Sequence, residues 1–159
     1  MANGLIPFAV KVVLVVLEAK LYTKQQRYNM MWMEMATAAT KMSHCVRRQV
    51  GCVIVKDGKV ISTGWNGTPK GFDNCCEHTD TGETLPYTIH AEANALDKLA
   101  RFGGIGCENA EAYITTQPCL ACAIRLANSG VKSVYYRESY RDQIGSQFLE
   151  NAGIPVFKI

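Results

Sequence analysis

Two short segments of the sequence contain side chains that can hold a metal ion and move protons. The first is the triplet HAE at positions 90–92, and after 25 further residues comes PCLAC at positions 118–122. Two thiolates and one neutral imidazole neutralise Zn²⁺ and leave the fourth tetrahedral position open for water, which is the arrangement of a catalytic zinc site. We therefore predict that His90, Cys119 and Cys122 bind zinc.

Glu92 is the predicted proton carrier of this site. It lies two residues from His90, which is close enough to face a water on the metal and too close to be an easy ligand itself. Both segments open predicted helices, whose free N–H groups and positive dipole ends stabilise thiolates. A lone C-x-x-C is shared by structural zinc sites and redox motifs. Its combination with H-x-E is the signature of zinc-dependent deaminases of nucleobases.

The elements that must position these residues follow from the periodicity of apolar residues. Helical spacing predicts a first helix over 28–43, and two β-branched runs at 50–55 and 60–63 flank an Asp-Gly turn signal at 57–58. From position 90 onward, predicted helices and strands alternate over 90–101, 110–116, 119–128, 133–136, 142–151 and 155–158. This order predicts a three-layer α/β/α domain around a five-stranded mixed sheet whose first two strands are antiparallel.

Length and composition limit the classes of protein. The 159 residues, 48% hydrophobic and 19% charged, fit one globular domain. We predict an N-terminal extension over 1–28 and a catalytic domain over 29–159. The extension is read as a helix or arm that packs apolar residues against the domain or a neighbouring subunit. The net charge of +3 is spread along the chain, which argues against a nucleic-acid partner.

The cysteine count and the apolar stretch near the N-terminus bear on location. Seven cysteines, an odd number, without a recognisable secretory leader argue against a disulfide framework and favour reduced thiols. The apolar stretch 5–17 is interrupted by Lys11 and is shorter than the roughly 20 residues of a membrane helix. We therefore expect no membrane association and a cytoplasmic protein.

Beyond the zinc motif, the chain resembles the cytidine and deoxycytidylate deaminases, and within them the deoxycytidylate enzymes of bacteria and phages. The resemblance covers position 30 to the end. It rests on the segments 45–58, 62–71 (STGWNGTPKG) and 88–95 and on the PCLAC segment. It implies a cytidine-deaminase-like fold and the reaction of dCMP with water to give dUMP and ammonia, which would supply dUMP for thymidylate synthesis. It also implies a homo-oligomer, most commonly a hexamer.

The same resemblance assigns roles to further residues. Asn66 is expected to contact the sugar or base, and Arg47, Tyr140 and Arg141 the 5′-phosphate, which a cationic fork suits. The 64–71 loop is expected to sense dCTP as an activator and dTTP as an inhibitor, with Mg²⁺ accompanying the bound triphosphate. The candidate effector residues are Gly64, Asn66, Gly67, Thr68, Lys70 and Gly71.

A second zinc site is suggested by some phage members of the family, which use cysteines at the positions of Cys45 and Cys75 together with two histidines. Those histidine positions are not filled here, and Thr88 stands at one of them. Cys76 and His78 are candidate replacements, because Cys75 and His78 have the Cys-x-x-His spacing of zinc ligands.

Three alternative functions remain open from the sequence. The substrate could be another cytosine nucleotide, dCTP in particular. A deaminase of tRNA or single-stranded DNA would need a positive track and stacking aromatic residues, which the dispersed charge does not favour. A regulatory zinc module without turnover would have no need for the unligated carboxylate of Glu92.

Overall fold

The computed structural model describes Val10 and residues 22–159. Five strands form its sheet, in the spatial order β2-β1-β3-β4-β5. Their bounds are β1 Gly51–Lys56, β2 Lys59–Trp65, β3 Glu111–Thr116, β4 Ser133–Glu138 and β5 Val156–Lys158. Strand β1 lies between β2 and β3 and pairs antiparallel with both, while β3, β4 and β5 are parallel. The predicted five-stranded mixed sheet is confirmed.

Among the described residues, four helices cover the two faces of this sheet. They are α1 Lys24–Thr40, α2 Ala91–Phe102, α3 Leu120–Asn128 and α4 Ile144–Asn151. On one face, Trp32, Met33 and Ala36 of α1 pack on Val53 and Tyr113. On the other face, α2, α3 and α4 bury a larger cluster against the sheet, including Ala91, Ala95, Ile114, Leu126, Val134 and Leu149. The chain therefore has the predicted three-layer α/β/α architecture.

Local sequence signals explain where the elements begin and turn. The β1–β2 hairpin turns at Asp57 and Gly58, whose φ angles of 51° and 70° match the left-handed turn that an Asp-Gly pair favours. Helix α1 begins at Lys24, earlier than the predicted position 28. Thr23 and Gln26 form a capping box there, which satisfies N–H groups at the helix start.

The predicted boundary between an extension and the catalytic domain stays a prediction, and residues 1–9 and 11–21 lie outside the described residues. Within the part of the chain that is described, no helix combines the length and apolar character needed to cross a bilayer.

Candidate metal and catalytic site

Two helix N-termini bring the predicted metal ligands together. His90 is the N-cap residue of α2, and Cys119 is the N-cap residue of α3; neither side chain caps its own helix. Instead the two side chains meet, with His90 Nδ1 at 3.5 Å from Cys119 Sγ and at 3.4 Å from Cys122 Sγ. All three donor atoms lie within 4.8 Å of one another. Among the described residues, this is the one His, Cys or acidic cluster that converges in this way.

The spacing of these donors fits a zinc ion. Zn–S bonds of about 2.3 Å and Zn–N bonds of about 2.0–2.1 Å in a tetrahedron put sulfur and nitrogen about 3.6 Å apart. The observed separations of 3.4 and 3.5 Å agree with that value. Two thiols and an imidazole are also the soft and borderline donors that zinc prefers. His90, Cys119 and Cys122 therefore fit a zinc site with three protein ligands.

The ionisation of the two thiols follows from their hydrogen bonds. Hydrogen bonding with the Cys122 thiol and with the His90 ring lowers the pKa of Cys119 to about 3. The pKa of Cys122 is raised, because its thiol is the donor to Cys119 and is buried. The pKa of His90 is raised, chiefly by its hydrogen bond with Cys119. One thiolate is thus already stabilised by the protein.

Glu92 lies in the first turn of α2, next to this donor set and outside it. Its side chain is buried, with the residue only 4% exposed, and burial raises the pKa of its carboxyl group above the usual range. A carboxyl group that is dry, near a metal site and not a ligand is suited to carry protons between water and a substrate.

A close approach of α2 to strand β2 fixes the position of His90. A Cβ atom on Gly64 would lie 2.2 Å from the carbonyl oxygen of Ala91 and 2.5 Å from the amide nitrogen of Ala95. Ser62 Oγ also donates to the Ala95 carbonyl at 2.7 Å. Gly64 is buried at this packing contact, and its predicted role as an effector contact stays a prediction.

The metal ligands open into a cleft of about 930 Å³. Its walls include His90, Glu92 and Cys119 together with the predicted substrate residues Arg47, Asn66, Tyr140 and Arg141. The structure therefore brings the candidate proton carrier and the candidate phosphate ligands into one space. Arg47 comes from one loop, and the adjacent Tyr140 and Arg141 come from another loop far away in the sequence.

Asn66 lines this cleft, and its side chain is hydrogen-bonded to the backbone of the neighbouring segment. Its Oδ1 accepts the Val50 N–H at 2.7 Å, and its Nδ2 donates to the Arg48 carbonyl at 2.7 Å. Asn66 thus fastens the segment next to Arg47. A contact with sugar or base would use the hydrogen-bonding capacity left after these two bonds.

The other predicted effector residues lie outside the residues that line the cleft. The backbones of Gly67 and Ile89 exchange two hydrogen bonds, of 3.1 and 2.7 Å, so the Gly67 N–H is already donated. Thr68 Oγ1 donates to the Asp73 carbonyl at 2.6 Å. Lys70 and Gly71 are exposed.

The cysteines predicted for a second zinc site are arranged differently. Cys45 forms a disulfide with Cys76, so this pair departs from the expectation of reduced thiols throughout. Cys75 Sγ donates to the Glu77 carbonyl at 3.1 Å. Cys45, Cys75 and His78 do not converge as a donor cluster among the described residues, because the disulfide occupies the Cys45 sulfur.

Arg48, Glu77 and Gln117 are among the residues of the cleft that were not predicted from the sequence. Arg48 and Glu77 line it, and one carboxylate oxygen of Glu77 accepts the N–H groups of Val46 and Arg47 at 3.1 and 3.2 Å. Gln117 also lines it, directly before the PCLAC segment. The sequence offers a signal for Arg48 and Gln117, because Arg48 follows Arg47 and Gln117 precedes the PCLAC segment. The sequence shows no link between Glu77 and a segment 30 residues away.

Comparison with known proteins agrees with this geometry. Residues 26–138 match the family described as the cytidine and deoxycytidylate deaminase zinc-binding region. A deoxycytidylate deaminase of Saccharomyces cerevisiae is 40% identical over 134 residues, which are 79% of this chain and 42% of that protein. One from enterobacteria phage T4 is 32% identical, over 80% of this chain and 87% of the phage protein.

A solved structure is also similar over nearly its whole length. The dCMP deaminase of cyanophage S-TIM5, in complex with dCMP and dUMP, is 39% identical with a TM-score of 0.80. The match covers 87% of this chain and 99% of that one. By contrast, the chain spans about two fifths of the length of the two yeast relatives, at 42% and 41%. With the family match over residues 26–138 and the converging zinc donors, the chain belongs to the cytidine and deoxycytidylate deaminase zinc-binding family.

Proposed function

We propose that the chain catalyses the hydrolytic deamination of dCMP to dUMP and ammonia. The observation that carries this proposal is the convergence of the His90, Cys119 and Cys122 donors, with His90, Cys119 and the buried Glu92 lining one cleft. The similarity to a phage dCMP deaminase solved with dCMP and dUMP supports the choice of substrate. Because the chain spans only part of the yeast relatives, the activity is a proposal for this chain itself.

His90, Cys119 and Cys122 would hold the zinc ion. Bound there, zinc would supply a Lewis acid that makes water acidic enough to lose a proton near neutral pH. Glu92 takes that proton and passes it to N3 of the cytosine ring. Burial suits this role, because a carboxylate that is poorly solvated accepts a proton more readily than one in water.

The overall reaction is a substitution at C4 without oxidation or reduction. The water oxygen forms a bond to C4, and the bond from C4 to the exocyclic nitrogen breaks. Glu92 carries the second water proton to the departing nitrogen, so ammonia leaves with three hydrogens and the ring becomes a uracil. Each proton moves through the carboxyl group of Glu92, which is regenerated at the end of the cycle.

Arg47, Tyr140 and Arg141 would hold the phosphate in the same cleft that His90 and Cys119 line. Arg141 is well placed for an incoming anion, since its side chain is 81% exposed and its one ion pair, with Asp142, is long at 3.7 Å. Arg47 Nη1 donates to Thr84 Oγ1 at 3.2 Å and keeps further N–H donors for a ligand. Arg48 adds a third guanidinium to the same lining.

Ammonia release across cytidine, CMP, dCMP, dCTP and a cytosine-containing oligonucleotide tests this proposal. The expected order has dCMP highest in kcat/KM, with Glu92→Gln as the matched inactive control. Preference for dCTP would move the function to another cytosine nucleotide. Turnover only on the oligonucleotide would identify a nucleic-acid deaminase, and zinc binding without any turnover would identify a regulatory module.

For regulation, we propose that dCTP activates and dTTP inhibits through the outer part of the 64–71 loop. The exposed Lys70 and Gly71 support this, since they lie outside the cleft lining and can meet a triphosphate with its Mg²⁺. Effector coupling of about 1–3 kcal/mol would move the apparent affinity for dCMP by roughly 5- to 150-fold. Rates against dCMP concentration with dCTP, with dTTP and with neither decide it; three superimposable curves would exclude control.

The assembly, location and pathway complete the proposal. A homo-oligomer, with a hexamer favoured, is supported by the exposed apolar side chains of Leu120, Ile124 and Ile144 on α3 and α4. Light scattering that reports a monomer at assay concentration would exclude it. A cytoplasmic location and a supply of dUMP for thymidylate synthesis follow from the proposed substrate.

A further inference from the structure

Gln117 is a buried polar residue that the chemistry of deamination does not use. It follows strand β3, directly before Pro118 and Cys119, and is 2% exposed. Both ends of its side-chain amide are bonded. Oε1 accepts the Tyr140 N–H at 3.0 Å, and Nε2 donates to Gln143 Oε1 and to Ser146 Oγ, each at 2.6 Å.

These bonds all reach residues 138–146, which run from the last residue of β4 through the connecting loop into the first turn of α4. We call this stretch the rim segment. Its first residue is tied to the same place, since the Gln117 N–H donates to the Glu138 carbonyl at 2.8 Å. Its far end is tied by packing, because a Cβ on Gly145 would lie 2.2 Å from the Pro118 carbonyl oxygen. Between these two contacts, the Gln117 side chain bonds to Tyr140 and Gln143 of the rim segment.

The rim segment carries Tyr140 and Arg141 into the lining of the cleft. Arg141 is exposed, and its contacts with other described residues are long, with its guanidinium 5.3 Å from the Tyr140 ring and its Nε 3.7 Å from Asp142. Its position therefore depends on the backbone beneath it. That backbone is held at Tyr140 by Gln117, whose strand leads directly into the metal ligand Cys119.

The amide is matched to this environment. One acceptor and two donors are used in three bonds, and an apolar replacement would leave the Tyr140 N–H and the side chains of Gln143 and Ser146 without their partner. A buried donor left unsatisfied costs more than a hydrogen bond contributes, so the segment would move to find water. Such a movement at the rim leaves His90 and Glu92 in place, since they lie on α2.

We propose that Gln117 is a positioning residue that sets Tyr140 and Arg141 at the distance from the metal centre that a nucleoside monophosphate spans. Gln117 thereby determines affinity for the phosphate and takes no part in proton transfer. This inference rests on the proposed deamination of dCMP, in which Arg141 meets the phosphate.

Gln117→Met is the test variant, because methionine has nearly the same length and removes all three hydrogen bonds. The KM for dCMP should rise about tenfold while kcat changes less than about threefold, since a misplaced binding group loses affinity without changing the chemical step. Tyr113→Phe is the matched control. It removes the hydroxyl that bonds Asn29 and Glu111 from a buried residue on the α1 side of the sheet, and it should leave KM near the wild-type value.

A double-mutant cycle separates positioning from general damage. If Gln117 acts through the rim segment, adding Gln117→Met to Arg141→Ala should raise KM by much less than tenfold, because the group being positioned is already gone. Fully multiplicative effects in the double variant would overturn the proposal. So would a Gln117→Met protein with unchanged KM, or one whose kcat falls in step with its zinc content.

Amide hydrogen exchange gives a readout that needs no substrate. In Gln117→Met, peptides covering 139–143 should exchange faster, with protection of 91–102 unchanged. If the wild-type protein does not deaminate dCMP, the proposed function fails and exchange alone decides the positioning role. Unchanged exchange over 139–143 in the variant would refute it.

Discussion

The metal centre and the rim of the cleft are built in different ways. His90 and Cys119 each stand at the N-terminus of a helix that packs on the sheet, so their positions follow from regular elements. The proposed phosphate ligands are carried by loops, and single side chains hold these loops. Glu77 accepts the Arg47 N–H, and Gln117 accepts the Tyr140 N–H. The candidate metal ligands thus stand on the core, while the proposed phosphate ligands depend on a few hydrogen bonds.

Loss of a metal ligand should break the centre most severely. In Cys122→Ala, zinc content should fall far below one ion per chain, and activity and melting temperature should fall together, because the metal ties two helix ends and binding is coupled to folding. Metal analysis, ammonia release and thermal unfolding on one preparation measure this. Cys107→Ala removes another buried free thiol and should keep the metal. An active, fully metallated Cys122→Ala protein would show that the ligand set is different.

Substitution of the proton carrier should separate chemistry from structure within the same centre. Glu92→Gln should keep zinc and fold while kcat falls by about 10²- to 10⁴-fold, because the amide has nearly the same shape and cannot carry protons. Zinc content and deamination rate of the variant are measured on the same sample. A rate equal to that of the wild type would remove Glu92 from the mechanism.

Substitutions at Gly64 and Gly67 test whether the position of His90 depends on the close packing of α2 on β2. Gly64→Ala places a methyl group against the backbone of Ala91 and Ala95, so α2 must shift, and overpacking of this kind costs about 1–3 kcal/mol. The melting temperature should drop by roughly 3–10 °C, and activity should fall as His90 moves. Gly67→Ala is the control from the same loop, with no described heavy atom within 4 Å of its added Cβ. Equal stability of the two variants would contradict the packing role of Gly64.

The sequence predicts the centre well because its signals are local. The apolar periodicity of α2 and α3, the β-branched strands and the Asp-Gly turn each specify one element, and the H-x-E and C-x-x-C spacings place donors at helix starts. The order of elements then limits the topology to a sheet in which these helix starts share one edge. The start of α1 differed by four residues because the capping box at Thr23 outweighs the apolar pattern.

The loops that carry Arg47 and Tyr140 were less predictable than the metal centre, because their contacts join distant parts of the chain. The Cys45–Cys76 disulfide spans 31 residues, and the Glu77 bond to the Arg47 N–H spans 30. The family resemblance suggested Cys45 and Cys75 as zinc ligands, the Cys-x-x-His spacing added His78, and neither gave a role to Glu77. Gly64 shows a related limit. The sequence does not distinguish a glycine that a loop requires from one that lets a helix pack closely, because the difference lies in the neighbouring backbone.

The smallest expected effect concerns Glu77 and tests the rim without touching the metal centre. In Glu77→Ala the N–H groups of Val46 and Arg47 lose their shared acceptor, so Arg47 is positioned less well. We expect a rise in KM for dCMP of about 3- to 10-fold, which corresponds to the contribution of one or two ordinary hydrogen bonds, with kcat nearly constant.

Glu77→Gln should restore most of the affinity, since an amide oxygen can accept the same two bonds. Glu83→Ala removes another exposed carboxylate from the cleft lining and controls for the change in charge. Steady-state kinetics of the four proteins at equal zinc content measure these differences. If Glu77→Gln is as weak as Glu77→Ala, or if Glu83→Ala raises KM equally, charge in the cleft and not the position of Arg47 controls affinity.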